Sequence, residues 1–295
     1  MSTVRLSAVI CTHDRPRDLW RCLEAFACLE DPVELIVVDS ASTPPCRELV
    51  NGYARAIPGL VYLREDAPGL SRARNRGVRH AQGEIVAFVD DDAAPRPDWA
   101  RRIVEPFADD PRVGCVGGAC HPFFPDCERP RWLSDRLLQF AGVTRFHAAR
   151  EARSSAEWPF GANIAFRREA LTAAGGFPEH LGRTGSALLS GEESAAIAAV
   201  RAAGWRIVLQ PAAAVDHAVP EARCVSRYYW RRLWWAGVTR ARTGGRRGRT
   251  LTRLLAAAPL RLVLYLVTWD RVYLYRLAET AGFVHDIATP RAAGR

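Results

Sequence analysis

The chain has 295 residues, 48% hydrophobic and 25% charged, which fits a soluble globular protein with one large α/β domain, or one domain plus an appendage. Its eight cysteines include no Cys-x-x-Cys pair, and Cys115, Cys120, His121 and Cys127 match no standard zinc spacing, so free, mostly buried thiols in a reducing cytoplasm are expected. The net charge of +9 is uneven: residues 223–295 hold 15 Arg against three acids, a balance of +12 that leaves −3 on 1–222 and implies an anionic partner.

Met1–Leu6 leads straight into an apolar run with no cleavage site, so no secretory signal is expected. Leu6–Cys11 reads as a strand, followed by a helix from Pro16 to Leu29. Glu34–Asp39 is the second strand, with a helix over Arg47–Ala56. Leu60–Leu63, Ile85–Val89 and Val113–Val116 continue the strands, with helices over Leu70–Ala81 and Asp98–Phe107. Strands alternating with helices predict an α/β fold with a mainly parallel sheet. Farther on, Ala162–Phe166 and Arg206–Leu209 read as strands and Ser190–Ala203 as a helix. Residues 126–157 are poorly patterned, with one helix expected near Trp132–Phe140. From Ser226 the chain reads as helices, broken at Thr243–Arg249. Leu251–Trp269 is apolar but interrupted by Arg253, Pro259 and Arg261, so a helix lying on a membrane surface fits better than a span. The expected division is a catalytic domain over 1–222, donor half first and acceptor half from about 121, and a helical extension over 223–295.

Chemistry concentrates where strands end. Ile85–Val89 stops in three adjacent carboxylates, Asp90, Asp91 and Asp92, which repel one another unless a divalent cation or a solvated turn accommodates them. Strand one ends in Cys-Thr-His-Asp-Arg-Pro (11–16), polar groups followed by a helix start that favours anions or is merely capped by Asp14. Asp39 follows the second strand, where an acid can read a ribose or cap a turn. Leu70–Ala81 carries Arg72, Arg74, Arg76 and Arg79; Arg72 and Arg76 share one face, and at least two of the four are expected to be simply solvated. Glu192 and Glu193 open a helix, where acids are favoured anyway, but a carboxylate there can also act as a general base. A lone His217 matters only if the fold returns it to the Asp triplet, since imidazole plus carboxylate suits Mn²⁺.

Taken in order, these motifs resemble a family 2 inverting glycosyltransferase of the GT-A fold. They are Val-Ile-Cys-Thr-His-Asp-Arg-Pro (9–16), Ile-Val-Val-Asp-Ser-Ala-Ser (36–42), Gly-Leu-Ser-Arg-Ala-Arg-Asn-Arg-Gly (69–77) and Phe-Val-Asp-Asp-Asp (88–92). Gly-Ala-Asn-Ile-Ala-Phe-Arg-Arg (161–168), Gly-Gly-Phe-Pro (175–178), Gly-Glu-Glu (191–193) and His217 follow. The resemblance implies a GT-A sheet and a nucleoside-diphosphate sugar, a UDP-sugar first, bound with Mn²⁺ or Mg²⁺. It implies that Thr12, Arg15, Asp39, Arg72, Asp90 and Asp91 serve the donor, and that Asp92 and His217 hold the metal. Glu193, with Glu192 beside it, falls on the catalytic Glu-Asp element, so a Glu stands where the family has Asp. The family's Tyr-Asn is His13-Asp14 here.

The implied reaction is metal-dependent inverting transfer to a hydroxyl acceptor, a glycan, a lipid-linked sugar or a small molecule, in cell-envelope or natural-product synthesis. Acceptor loops are expected in Pro122–Glu157 and Arg183–Ser190. Two other readings share features with this one: a sugar-phosphate nucleotidyltransferase, and a non-catalytic nucleic-acid binder using Tyr228, Tyr229, Trp230, Trp234 and Trp235. The aromatics are clustered rather than interleaved, so no nucleic acid is expected. They suit a membrane interface as well as a packed helical pair or a homodimer contact. The expected location is the cytoplasm, peripheral on the inner face of the cell membrane.

Overall fold

The computed structural model of the chain describes residues 5–144, 146–183, 187–243 and 247–289. Parts of the loop expected over Arg183–Ser190, and of the break at Thr243–Arg249, lie outside them. Strands β1 (Leu6–Thr12), β2 (Glu34–Ser40), β3 (Val61–Glu65) and β4 (Ile85–Asp90) are parallel and lie in the order β3-β2-β1-β4. Helices α1 (Pro16–Ala27), α2 (Arg47–Gly52) and α3 (Leu70–His80) connect them. β1, β2 and β4 are apolar almost throughout because both sheet faces are covered. Ala8, Ile10, Leu35 and Val37 join the core with Leu19, Cys22, Leu23 and Phe26, the helix-spaced stripe of α1. Val9, Ile36 and Val38 point the other way and join Ala73 of α3.

Gly77 sets how closely α3 sits on the sheet. A Cβ there would fall 2.5 Å from Val9 Cγ1. The chain moves outward from β1 to β3, then returns to β4 on the other side of β1. That reversal opens a crevice at the carboxyl ends of β1 and β4, where open α/β sheets take ligands.

Then follow β5 (Ala93–Pro95), α4 (Trp99–Asp109), β6 (Val113–Phe123), α5 (Asp135–Leu138), β7 (Arg150–Glu151), β8 (Asn163–Arg167), α6 (Arg168–Ala173), α7 (Glu192–Ala202) and β9 (Arg206–Ala218). The sheet continues β4-β8-β6-β9-β5, with β7 on β9. β8 runs antiparallel to β4 and β6, while β6 and β9 are parallel, so the sheet is mixed with mostly parallel strands. Asn163 is fully buried at the start of β8. Its Nδ2 donates to Ala119 O at 2.9 Å and Ala213 O at 2.8 Å, and its Oδ1 accepts from Trp99 Nε1 at 3.0 Å. One amide therefore ties β6, β9 and α4 together, with no polar atom of its own left over.

Four strand features differ from the sequence expectation: β6 continues to Phe123 rather than stopping at Val116, β7 falls in a stretch read as loop, and β5 and β9 depart as well. β5 is three residues long and contains Pro95, too short for any periodicity. β9 runs 13 residues rather than stopping at Leu209. Its register jumps from Gln210 opposite Gly118 to Ala214 opposite Ala119, a bulge across Pro211–Ala213, and pairing then resumes as far as Ala218.

The described residues form two compact units. The first holds the sheet and its helices. The second gathers residues 124–141, the segment up to Gly191 and everything from Val219 onward, so it is not contiguous in sequence. It contains α8 (Ser226–Thr243), α9 (Arg247–Thr268) and α10 (Arg271–Ala288). α9 runs unbroken through Pro259, over the stretch that the sequence reads as a helix with an interrupted apolar run. α8 and α10 meet at two glycines: a Cβ on Gly237 would lie 2.0 Å from Glu279 O, and one on Gly282 2.0 Å from Trp234 O. Asp270 caps α10 by accepting from Val272 N at 3.0 Å, and also accepts from Ser134 Oγ at 2.9 Å. Trp132 stacks edge-on against Tyr229 and Tyr275.

Candidate active site

All the residues below belong to the sheet unit. β1 and β4 are in register, with Cys11 opposite Asp90, so the residues just past them, Thr12 and the Asp triplet, share one edge. The three carboxylates part company there. Asp91 turns inward and is buried; it accepts from Thr12 Oγ1 at 2.8 Å and from Arg15 Nη1 at 3.2 Å. Burial lifts its carboxyl to about 7; Asp92 and Asp90 add to the lift, while Arg15 and Thr12 oppose it. Arg15 Nη1 also lies 3.5 Å from Asp92 Oδ2, while the other oxygen of Asp92 and the Asp90 carboxylate converge with His217.

The bulge in β9 makes that meeting happen. It carries the strand on to pair with β5, placing His217 opposite Ala93, the residue after Asp92. Ala218 N donates to Asp92 O at 2.8 Å. His217 Nε2 lies 3.1 Å from Asp92 Oδ1, and both side chains are buried. The imidazole packs against Gly142, whose φ is +93° and where a Cβ would fall 2.9 Å from His217 Cε1. One ligand atom from each of Asp90, Asp92 and His217 lies within 4.8 Å of the others. His217 Nδ1 has no hydrogen-bond partner among the described residues, a cost for a buried nitrogen unless something else meets it. Two carboxylate oxygens and an imidazole form a donor set that suits Mn²⁺ or Mg²⁺.

Arg74 is the residue that sequence reading did not single out. It is buried, with Nη1 donating to Glu192 Oε1 at 2.9 Å and Nη2 to Asp90 Oδ1 at 3.3 Å and Gly161 O at 3.2 Å. Gly161 has no side chain for a reason: a Cβ would fall 2.5 Å from Arg74 Nη2. Phe88 and Phe177 stack beneath the guanidinium. Arg74 thus joins the strand-end acids to the helix-start acids. Burial and the adjacent Glu193 carboxylate lift Glu192 to about 8 against the pull of Arg74. Glu193, only half-buried, is the more accessible of the two.

Two further expected donor residues, Asp39 and Arg72, are paired with other groups. Asp39 is fully buried and occupied on both oxygens: Oδ1 accepts from Ser42 N at 2.9 Å, and Oδ2 from Cys46 N at 3.0 Å, Tyr62 Oη at 2.8 Å and Arg64 Nη1 at 3.3 Å. Burial alone would raise its carboxyl, but the hydrogen bonds from Ser42, Cys46 and Tyr62 prevail and hold it at about 2. Arg72 is half-exposed and paired with Glu179 at 3.2 Å.

A family model described as Glycosyl transferase family 2 matches residues 7–174, which covers β1, the Asp triplet and Asn163. The chain belongs to glycosyl transferase family 2. This glycosyltransferase is 23% identical over 241 residues to the glucosyl-dolichyl phosphate glucuronosyltransferase of Haloferax volcanii, covering 80% of this chain and 76% of that one. It is 28% identical over 255 residues to the succinoglycan biosynthesis protein ExoM of Rhizobium meliloti, covering 84% and 76%. The mannosyltransferase PcManGT from Pyrobaculum calidifontis, solved with GDP-Man and Mn²⁺, superposes with a TM-score of 0.64 at 24% identity, over 96% of this chain and 87% of that one. S. aureus TarS 1–349 with UDP-GlcNAc superposes at 0.55 and 16% identity, over 95% and 89%. The fold is GT-A. Membership in a glycosyltransferase family displaces the nucleotidyltransferase and non-catalytic readings.

Proposed function

We propose that the enzyme transfers a sugar, with inversion, from a nucleoside-diphosphate sugar to an acceptor hydroxyl, with a UDP-sugar as the first donor to test. One observation carries the reading: buried Arg74 couples Asp90 of the strand-end cluster to Glu192 of the helix-start pair, so groups suited to a diphosphate adjoin groups suited to an acceptor proton. The nucleotide sugars in the PcManGT and TarS structures support the donor class. Asp90, Asp92 and His217 would hold a divalent cation, which supplies positive charge to the leaving diphosphate when bound.

The remaining roles belong to the chain's own residues. Glu193 takes the acceptor proton while the hydroxyl attacks the anomeric carbon on the face opposite the diphosphate. Glu192 is committed to Arg74 and keeps that guanidinium beside Asp90. Thr12 and Arg15 serve the donor through Asp91 and Asp92, by holding the turn that brings Asp90 and Asp92 to His217. Asp39 shapes the loop after β2, and Arg72 is exposed enough to meet a phosphate. The acceptor is a hydroxyl on a glycan, a lipid-linked sugar or a small molecule.

Calorimetric titration with UDP, GDP and dTDP, each with and without Mn²⁺, tests this. One nucleotide should bind, and only with the metal. Asp92→Asn should weaken that binding by about ten- to a hundredfold. Binding that survives chelation and Asp92→Asn unchanged, or no binding to any nucleotide with metal present, removes the proposal.

A further inference from the structure

From Leu254 onward, helix α9 wears its charge and its apolar residues on opposite sides from those water favours. Between Leu254 and Trp269 the only charged residue is Arg261. Its guanidinium is turned onto α10, where Nη1 donates to Arg276 O at 3.1 Å and Thr280 Oγ1 at 3.0 Å. Solvent meets Leu255, Leu260, Leu262, Val263, Leu266 and Val267 instead, the last 73% exposed. The neighbouring pair, α8 and α10, buries one acid while keeping Arg227, Arg231, Arg240 and Arg242 at the surface. Glu279 is buried between Arg240 at 2.8 Å and Arg276 at 2.7 Å, and the helices close on small residues, Gly237 and Gly282. On α9, a cation turned inward and aliphatic residues turned outward suit hydrocarbon surroundings. Among the described residues, α9 is the one helix long and apolar enough to cross a membrane.

A contiguous apolar face of this kind marks a contact with protein or lipid. Charge decides between them. Arg249 and Arg253 are exposed at the start of α9. Arg253, Leu260 and Val267 are seven residues apart, about two turns, so the basic end and the apolar stripe share one side. A second copy of the chain would bring another extension of net charge +12 to that surface. Anionic headgroups would neutralise it. Trp269, 74% exposed at the far end, is a residue type that settles at membrane interfaces.

We propose that α9 docks the protein on an anionic lipid bilayer, with Leu255–Val267 against the acyl chains and Arg249 and Arg253 at the headgroups. This rests on the helical unit and is independent of the donor used at the active site.

The full-length protein is floated through a density gradient with phosphatidylcholine vesicles, with and without phosphatidylglycerol. Wild type should rise with the anionic vesicles and much less with the neutral ones. Combining Leu260→Glu, Val263→Glu and Val267→Glu should cut the bound fraction at least about tenfold. Arg249→Glu with Arg253→Glu should weaken binding to anionic vesicles alone. These side chains are exposed, so each variant should keep the wild-type melting temperature and nucleotide binding, which separates lost docking from lost folding. Wild type that stays at the bottom with both vesicle types, or a triple variant that floats equally well, overturns the proposal. No flotation, together with a lipid-free dimer that the triple change makes monomeric, assigns the face to a second copy instead.

Discussion

Glu192 and Glu193 are adjacent in sequence and differ in circumstance. Glu192 starts α7, is buried and is bonded to Arg74 at 2.9 Å, whereas Glu193, next on the same helix, is only partly buried, although its Oε2 is covered. We therefore expect Glu193→Gln to bind donor nearly as well as wild type while turnover falls about 10²–10⁴-fold, measured by calorimetry beside single-turnover assays. A Glu192→Gln enzyme that loses turnover while Glu193→Gln retains it would reverse the assignment. Asp39 makes a prediction of the opposite kind. Its value of about 2 lies below the ordinary 3.8, so the native state prefers the charged form. The stability this lends is present above about pH 4 and is lost as pH falls through about 2. Asp39→Asn should cost about 1–3 kcal/mol near neutral pH and flatten the acid limb of the melting curve. An unchanged acid limb would show that other carboxylates set it.

At the level of elements, short connections matter more than long ones. β5 has three residues, yet its pairing with β9 is what lays His217 beside Asp92. α3 supplies Arg74 to the cluster because Gly77 lets that helix sit close on Val9. The α8–α10 crossing depends on Gly237 in the same way, except that its neighbour is the backbone oxygen of Glu279, which cannot rotate aside. Gly237→Val should therefore cost more than an ordinary overpacked core position, about 3 kcal/mol or more. Thermal unfolding would register this as a lowered midpoint; a variant that melts like wild type would mean the two helices can separate without penalty.

For the whole chain, the sequence suggests a cut at residue 222, whereas the helical unit also takes in residues 124–141. Trp132 lies 5.7 Å from the Tyr229 ring and 6.4 Å from the Tyr275 ring, Tyr228 Oη donates to Phe140 O, and Arg276 covers the Phe140 ring. A chain ending at Ala222 would leave those groups without their helical partners. We expect it to run as aggregate on size exclusion where the full chain runs as a discrete species. A well-behaved truncated protein that binds nucleotide would instead show that residues 124–141 hold their fold without α8 and α10.

The strands and helices up to α4, β5 apart, and the carboxylates at the end of β4, were legible in the sequence because burial on both sheet faces writes long apolar runs and their polar ends stand out. The family could be read from the same residues, since its motifs occupy the ends of those strands. The partnership inside the site could not. Which of four arginines on α3 turns inward depends on how closely Gly77 lets the helix approach, and a residue's own neighbours in sequence do not record that. His217 reaches the Asp triplet only through a bulge across Pro211–Ala213 and a three-residue strand, features too short and too small-residued to leave a period. The direction α9 faces was equally hidden. An apolar run with two arginines reads the same whether Arg261 points to water or to Thr280, and only packing against α10 decides between them.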